Sequence, residues 1–398
     1  MAVFRVSTFI LQLHTNSGYD LILIDKSVER YIIAEEKIPE ENIGGLGMKK
    51  RLWLKIVFGG LAAILLAVVA LVIYLTATEY NPKDRQDAEW LQIDNAATPV
   101  GESLTIYSWN IGYAGLNAAS DFFMDGGSKV NPTEDEVAEN LTAIKAFISS
   151  NPADAWLLQE VDVNSARTGY VNELKSISEA YSGSFALAYN YKCAFVPIPL
   201  PPIGKVESGV ATFTSGLVKG VSERIALPCP FSWPSSTANL KRCLLITRLA
   251  IEGSDKEVVL VNLHLEAYDD GEGKAAQTKL LMEILQQEYE KGNYVIAGGD
   301  FNQTFPGVLD TFPVAGDVWA PGAMEEDALP KGFQYAFDGD SPSCRLLNKP
   351  LDESSQMYVL DGFIVSPNVR VDLVETVELG FAHSDHNPVK LCVTLLTD

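Results

Sequence analysis

Six short stretches of this chain set an apolar run against a cluster of Asn, Asp, Glu or His. They are YSWNIG (107–112), LLQEVD (157–162), VNLHLEA (261–267), IAGGDFNQTFP (296–306), LDGFIVSPN (360–368) and FAHSDHNPV (381–389). Short apolar runs bounded by such groups read as buried β-strands. A chain of this pattern must bury the runs and bring the polar ends to one rim. Chemistry on a phosphate with a hard metal ion needs those side chains in such a place.

A second feature divides the chain. From Ile56 to Leu75 twenty residues pass without a charge, enough for a helix to cross a bilayer core. Soluble core helices rarely stay apolar on every face for that length. Lys49, Lys50, Arg51 and Lys55 crowd its N-terminal side, and the residues after it carry no positive excess. The positive-inside rule then places everything after residue 76 outside the cytoplasm. Residues 52–77 are expected to be an uncleaved, single-pass signal anchor in the cell membrane. Leu75-Thr76-Ala77 is a passable cleavage site, but the run is long for a removable signal peptide.

Residues 1–51 are expected to be a short cytoplasmic tail or sequence upstream of a true start at Met48. Met48-Lys49-Lys50-Arg51 has the form of a secretory start, and the codons of Gly44 and Gly45 can spell a bacterial ribosome-binding sequence. A bacterial source follows from this reading. N-terminal sequencing of the native protein is expected to begin at Met48, and a start at Ala2 or Val3 would overturn the reading.

The chain carries 30 basic and 52 acidic residues, of which 20 and 40 lie in positions 100–398. A surface this acidic repels polyanions, which weighs against nucleic acid as a partner. The five cysteines (Cys193, Cys229, Cys243, Cys344 and Cys392) show no metal-ligand spacing. Cys229 and Cys243 are a candidate disulfide outside the cytoplasm; buried free thiols are the expectation for most of the five.

Residues 78–102 read as a polar linker. Strands are expected at 104–109, 155–159, 184–190, 208–214, 243–251, 256–263, 293–298, 357–365, 369–378 and 389–396. Helices are expected at 133–149, 170–181 and 273–291. The first helix has Thr133 and Glu136 as a capping box, with Val137, Leu141, Ile144 and Ile148 as its apolar stripe. Strands in runs between helices imply two packed sheets covered by helices.

Glu160 follows the run AWLLQ, where a carboxylate suits Mg²⁺. Asn110 ends a strand, where its amide can orient a ligand or touch phosphate. Gly298 and Gly299 permit a close turn before Asp300 and Asn302, which point to one side if extended geometry continues. An acid there can orient or deprotonate water, while an amide donates to phosphoryl oxygens. Of four histidines, His14 lies in the doubtful N-terminal segment and His383 has no evident role. His264 and His386, with Asp361 and Asp385, have the makings of acid–base and phosphate contacts. Taken singly, each of these residues is also an ordinary turn or strand-end group; the set is what carries the reading.

The ordered set WN, QE, H, GDFN, DG and SDH resembles the endonuclease/exonuclease/phosphatase superfamily over residues 103–397. The implied fold is a four-layer α/β sandwich, two mixed β-sheets flanked by helices, preceded here by one transmembrane helix; the catalytic domain would be 103–398. The resemblance implies Glu160 as principal Mg²⁺ ligand with Asn110 beside it (Mn²⁺ can substitute), and Asp385 as a second acid of the metal site. It implies Asp300 as the water-activating residue and Asn302 as a donor to the transition state. It further implies His386 as the phosphate-contacting His with Asp361 as its carboxylate, and His264 as the first His of the nuclease and sphingomyelinase branches. The implied reaction is in-line attack of water on a phosphoester.

Three functions compete. A membrane-anchored phosphodiesterase acting on a lipid headgroup or small molecule fits the anchor, the charge and two apolar loops, CAFVPIPLPPIG (193–204) and PFSWP (230–234, with Trp233). An extracellular nuclease fits the family but not the charge. A catalytically inactive binding module is disfavoured by the completeness of the set. Lys241, Arg242, Arg167 and Arg345 are candidate contacts to phosphate or headgroup, and the protein is expected to be a monomer.

Overall fold

The structure, a computed structural model, describes residues 43–269 and 271–396 of the 398. His14 and the tail up to residue 42 lie outside the described residues. Helix α1 (Ile43–Ala77) carries the uncharged run. Its stretch Lys49–Ala77 is long and apolar enough to cross a membrane. The chain divides into a unit ending at Leu66 and a compact unit from Ala67 to Asp398; the second holds the polar strand ends.

After α1 come β1 (Arg85–Asp87), β2 (Trp90–Gln92), β3 (Ser103–Asn110), α2 (Glu134–Ser150), β4 (Ala155–Asp162), α3 (Glu173–Ser178), β5 (Ser184–Val196), β6 (Gly204–Thr214), β7 (Glu223–Ala226), β8 (Cys243–Ala250) and β9 (Glu257–His264). The second half contains α4 (Glu272–Glu290), β10 (Tyr294–Asp300), β11 (Gln303–Thr304), α5 (Val308–Thr311), β12 (Gly322–Ala323), β13 (Gln334–Ala336), β14 (Cys344–Arg345) and β15 (Met357–Tyr358). It closes with β16 (Asp361–Val365), β17 (Val369–Thr376) and β18 (Val389–Leu395).

Among the described residues the strands form two seven-stranded sheets, ordered β1-β7-β8-β9-β10-β16-β13 and β17-β18-β3-β4-β6-β5-β2. Apolar side chains of both inner faces, such as Leu157 and Leu391 from one sheet and Leu260 and Phe363 from the other, pack together between them. Helix α4 covers one outer face through Leu281 and Leu285, and α2 covers the other through Val137, Leu141, Ile144 and Ile148. This is the four-layer sandwich of two mixed sheets flanked by helices.

Helix α2 shows how local sequence sets an element. The Thr133 side chain accepts from the Glu136 amide while the Glu136 side chain accepts from the Thr133 amide, the reciprocal cap expected. Its apolar stripe faces Trp109, Trp156 and Leu158, and burial of each such side chain contributes roughly 1.5–3 kcal/mol.

Topology then gathers the polar ends. Within the large sheets β3 and β4 pair in parallel, as do β9 and β10. Each parallel pair is joined by a crossover helix, so each pair delivers both C-terminal ends to the same edge. Antiparallel neighbours begin where those strands end: Asp361 opens β16 opposite Asp300, and Asp385 and His386 precede β18, which pairs with β3 at Ser108. A buried polar pin fixes one sheet on the other. The Gln159 amide donates to Asn262 Oδ1 at 2.8 Å, and Asn262 donates across to the carbonyls of Leu158 and Ala211.

Several expectations need correction. The 78–102 stretch is not a free linker, because β1 pairs with β7 and β2 with β5, adding one edge strand to each sheet. The helix expected at 170–181 is only Glu173–Ser178, since Tyr170 adopts a left-handed conformation and Asn172 caps the helix start. The strand expected at 357–365 splits into β15 and β16. At the break Leu360 donates its N–H to Ser343 Oγ and its carbonyl accepts from Phe301, so the chain changes partners there. All five cysteines are free; Cys243 is buried and Cys229 exposed, with no disulfide between them.

Candidate active site

The polar ends meet in a cavity of ≈ 270 Å³, lined at its polar end by Glu160, His264, Asp300, Asn302, Asp385 and His386. Asn110 and Asp361 stand directly behind them. Asn110 Nδ2 lies 3.2 Å from Glu160 Oε1 and 3.1 Å from Asp300 Oδ2, while its Oδ1 accepts from the Gly112 amide at 3.0 Å. That last bond fixes which way the amide points. Asn110 therefore holds two carboxylates in place with its nitrogen.

Glu160 is not at a strand end, as the sequence had implied. β4 continues to Asp162, and the register with β6 shifts between Leu158 and Val161. Glu160 sits in that irregularity with φ 56°. A bulge with a left-handed residue re-aims a side chain out of the sheet's alternation, at a cost of about 1–3 kcal/mol for a non-glycine residue. Asn302 is the same kind of case, with φ 49°. Extended alternation ends at Asp300, and the Asn302 N–H donates to Asp300 Oδ1 at 2.8 Å. A turn, not a strand, brings the two side chains together. Asn302 Nδ2 also donates to the Leu265 carbonyl at 2.8 Å, and its other N–H has no partner among the described residues.

Gly298 and Gly299 do not make that turn either. Both lie inside β10, where a Cβ on Gly298 would strike the Phe363 ring and one on Gly299 the Leu263 carbonyl. Their role is close approach between strands and between sheets.

His386 Nδ1 is 2.7 Å from Asp361 Oδ2, and both groups are buried. Burial disfavours the imidazolium, but the adjacent Asp361 charge, with further help from Asp300, raises His386 well above its ordinary pKa. His386 is thus a held cation, its Nε2 3.7 Å from Asp300 Oδ2. Asp361 is itself fixed by the Ser343 hydroxyl at 2.8 Å. That hydroxyl also accepts the Leu360 and Asp361 amides. Nothing in the sequence around Ser343 forms a motif that would single it out.

His264 contrasts with His386. Burial, then Arg242 and His386, lower its pKa well below the ordinary value, so it stays neutral. Its Nε2 is 3.5 Å from Asp300 Oδ2. Burial also raises the Asp300 carboxyl, opposed by His386 and assisted by Asp361. Asp385 is pushed up to about 7 by burial and by the Glu160 charge, against the pull of His386 and Arg345.

The basic candidates divide. Arg167 and Arg242 line the cavity but are already paired, Arg167 with Asp162 at 2.9 and 3.0 Å and Arg242 with Glu266 at 3.3 Å. Arg167 also lies over the Tyr113 ring, 3.6 Å from its centroid. Arg345 also lines the cavity, but its two terminal nitrogens go to the carbonyls of Asn117, Ser120 and Lys349, so it braces a loop. Lys241 reaches Glu79 at 2.8 Å. His383 contacts Asn140 and does not line the cavity.

Two groups of donors face a possible cation. Asp300, Asp361 and His386 place ligand atoms within 4.8 Å of one another, but the His386–Asp361 pair already satisfies both partners' charges. Glu160 and Asp385 are two carboxylates on one cavity, and the Glu160 charge disfavours ionisation of Asp385. That donor set fits a hard divalent cation, which relieves the repulsion with oxygen ligands.

No curated protein matches this chain. Similar solved structures include an endonuclease/exonuclease/phosphatase from Beutenbergia cavernae, with 13% identity, 74% of this chain and 72% of that chain covered, and TM-score 0.49. A conserved protein of unknown function from Enterococcus faecalis is similar at 16% identity, with 73% and 99% covered and TM-score 0.47. Truncated Caenorhabditis elegans TDP2 is similar at 16% identity, with 73% and 97% covered and TM-score 0.45. The model of the Endonuclease/Exonuclease/phosphatase family matches residues 107–386, from the strand that ends at Asn110 to the SDH segment. The chain belongs to the endonuclease/exonuclease/phosphatase family.

Proposed function

We propose that this protein is a membrane-anchored, divalent-metal-dependent phosphoester hydrolase with its catalytic domain outside the cytoplasm, acting on the phosphodiester of a lipid headgroup or small molecule. The observation that carries the reading is the convergence of Glu160 and Asp385, Asp300, and the Asp361–His386 ion pair on one cavity. Glu160 and Asp385 would hold Mg²⁺, or Mn²⁺ in its place, with Asn110 orienting Glu160. The bound cation would supply charge neutralisation on the phosphate and leaving oxygen.

The chain's own groups do the rest. Asp300, held by Asn110 and the Asn302 amide, orients water in line with the phosphorus and accepts its proton. Its raised pKa makes it a stronger base than a solvated aspartate. The free N–H of Asn302 and the neutral His264 donate to phosphoryl oxygens. His386, kept cationic by Asp361, faces the same oxygens and stabilises charge that grows in the transition state. No covalent intermediate on the enzyme is required.

The test is hydrolysis of bis(4-nitrophenyl) phosphate by the full chain in detergent, abolished by EDTA and restored by Mg²⁺. Plasmid DNA and inositol phosphates run in parallel as competing substrates. Persistence of activity after chelation would sink metal dependence; cleavage of DNA alone would make the protein a nuclease.

Metal binding should carry a proton signature. A carboxyl with its pKa at about 7 is protonated below that pH and must lose the proton to bind a cation. Mg²⁺ affinity measured by calorimetry is therefore expected to fall up to about tenfold per pH unit below neutrality and to level off above it. Asp385→Asn should weaken binding and flatten the profile. A wild-type affinity that does not change across this range would remove Asp385 from the site.

A further inference from the structure

Part of the cavity wall comes from loops that pack on the last turns of α1. That wall includes Tyr191, Ile203, Phe231, Asn239 and Leu240. Tyr191 lies in β5, Ile203 in the connection between β5 and β6, and Phe231, Asn239 and Leu240 in the neighbouring stretch 228–240. Neither CAFVPIPLPPIG (193–204) nor PCPFSWPSSTANL (228–240) carries a charged side chain, although 21% of the chain is charged.

Both loops are fastened to the last turns of α1, within the unit that starts at Ala67. Leu75 is buried against Cys193, Val196 and Val206, with Leu71 and Ile203 packed on the same cluster. The Trp233 indole donates to Thr76 Oγ1 at 3.1 Å, and Glu79 accepts from Ser236 and Lys241. Thr76 directly follows the uncharged run, so this bond holds Trp233 at the level where the apolar segment ends. Beside these contacts the loops leave large apolar side chains in the open: Ile198 is 73% exposed, Leu200 86% and Trp233 61%.

We infer that Ile198, Leu200 and Trp233 form a rim that sits in the interface of the bilayer crossed by α1, and that the cavity takes a phosphodiester lipid directly from that leaflet. The inference rests on the hydrolase reading above and names its substrate class. Three observations converge on the bilayer as occupant. The rim is joined to the end of the only helix among the described residues long and apolar enough to span. It lacks charge, and its indole has one polar partner and an otherwise open ring, the arrangement favoured at membrane–water interfaces. Ile203 connects the two regions, since it packs in the cluster around Leu75 and also lines the cavity. A lipid whose chains stay in the bilayer can place its phosphate toward Glu160 and His386 while its glycerol and upper chain carbons meet the apolar lining. The substrate then need not leave the membrane, which removes the cost of exposing its chains to water.

The test uses the full chain reconstituted in phosphatidylcholine vesicles, with and without bromine on the upper acyl carbons. Bromolipid quenching of wild type minus that of Trp233→Phe reports Trp233 alone, and it is expected to be strong. A second arm compares Ile198→Ser/Leu200→Ser/Trp233→Ser with wild type. Turnover of long-chain phosphodiester lipids in vesicles should drop by about tenfold or more, while hydrolysis of bis(4-nitrophenyl) phosphate stays within about twofold. An unquenched Trp233, or equal effects on both substrates, overturns the rim. If wild type cleaves no phosphoester at all, the hydrolase reading fails, and the quenching arm still decides where the rim lies.

Discussion

Asp300→Asn is expected to reduce phosphoester hydrolysis by about 10²- to 10⁴-fold, the range for loss of a positioned general base. The substitution keeps the shape and the Asn302 N–H contact but cannot accept a proton from water. Asp300 contacts four other groups of the site. It accepts from Asn110 at 3.1 Å and from the Asn302 amide at 2.8 Å, and it stands 3.5 Å from His264 and 3.7 Å from His386. The variant should fold, because the amide is isosteric with the carboxylate and its oxygen can still accept the Asn302 N–H. His386→Ala should cost a similar factor, by removing the cation and leaving Asp361 buried without its partner. The decisive measurement is kcat with Mg²⁺ saturating, alongside the thermal midpoint. Full activity in Asp300→Asn would show that another group takes the proton. An activity loss matched by a collapse in stability would be a folding effect and would not support the assignment.

Gly299→Ala is expected to be the most damaging glycine-to-alanine change among the described residues. A Cβ there would lie 1.9 Å from the Leu263 carbonyl oxygen, far inside any real contact, and the backbone φ is 154°. The obstacle is backbone, so no side-chain rotation relieves it. β9 and β10 must separate where Gly299 pairs with Leu263, and the next pair in register is Asp300 with His264. A loss of at least about 3 kcal/mol is expected, in the class of strained special backbone positions. Gly101→Ala, where a Cβ meets open space, is the control and should stay within about 0.5 kcal/mol. Unfolding midpoints that agree for wild type and Gly299→Ala would mean the two strands do not pack as described.

Much of this protein was legible before any coordinates. The Thr133–Glu136 cap, the α2 stripe, most strand positions and the set of polar strand ends follow from period and residue type, because these are local properties. Asp361 and His386 could be named as partners, though twenty-five positions apart, only through the family resemblance. The structure brings them to 2.7 Å. Other features left no local signal. The 78–102 stretch reads as a linker because β1 and β2 are three residues each, too short for any periodicity to show. The bulge at Glu160 leaves no mark in the sequence, where AWLLQ reads as a plain strand that ends just before it. Arg345 looks like a phosphate contact until its carbonyl partners are known, and Ser343 looks like nothing at all.

Sequence by itself determined most element types, the apolar segment of membrane-spanning length and the inventory of chemical groups, since hydrophobic period, capping and side-chain chemistry are written residue by residue. Tertiary structure decided which of those groups meet. Two parallel pairs aim four strand ends at one rim, and the antiparallel starts of Asp361 and Asp385–His386 fill the gaps. Buried charges then set one histidine cationic and the other neutral, because a pKa depends on what lies within a few ångströms in space and not along the chain.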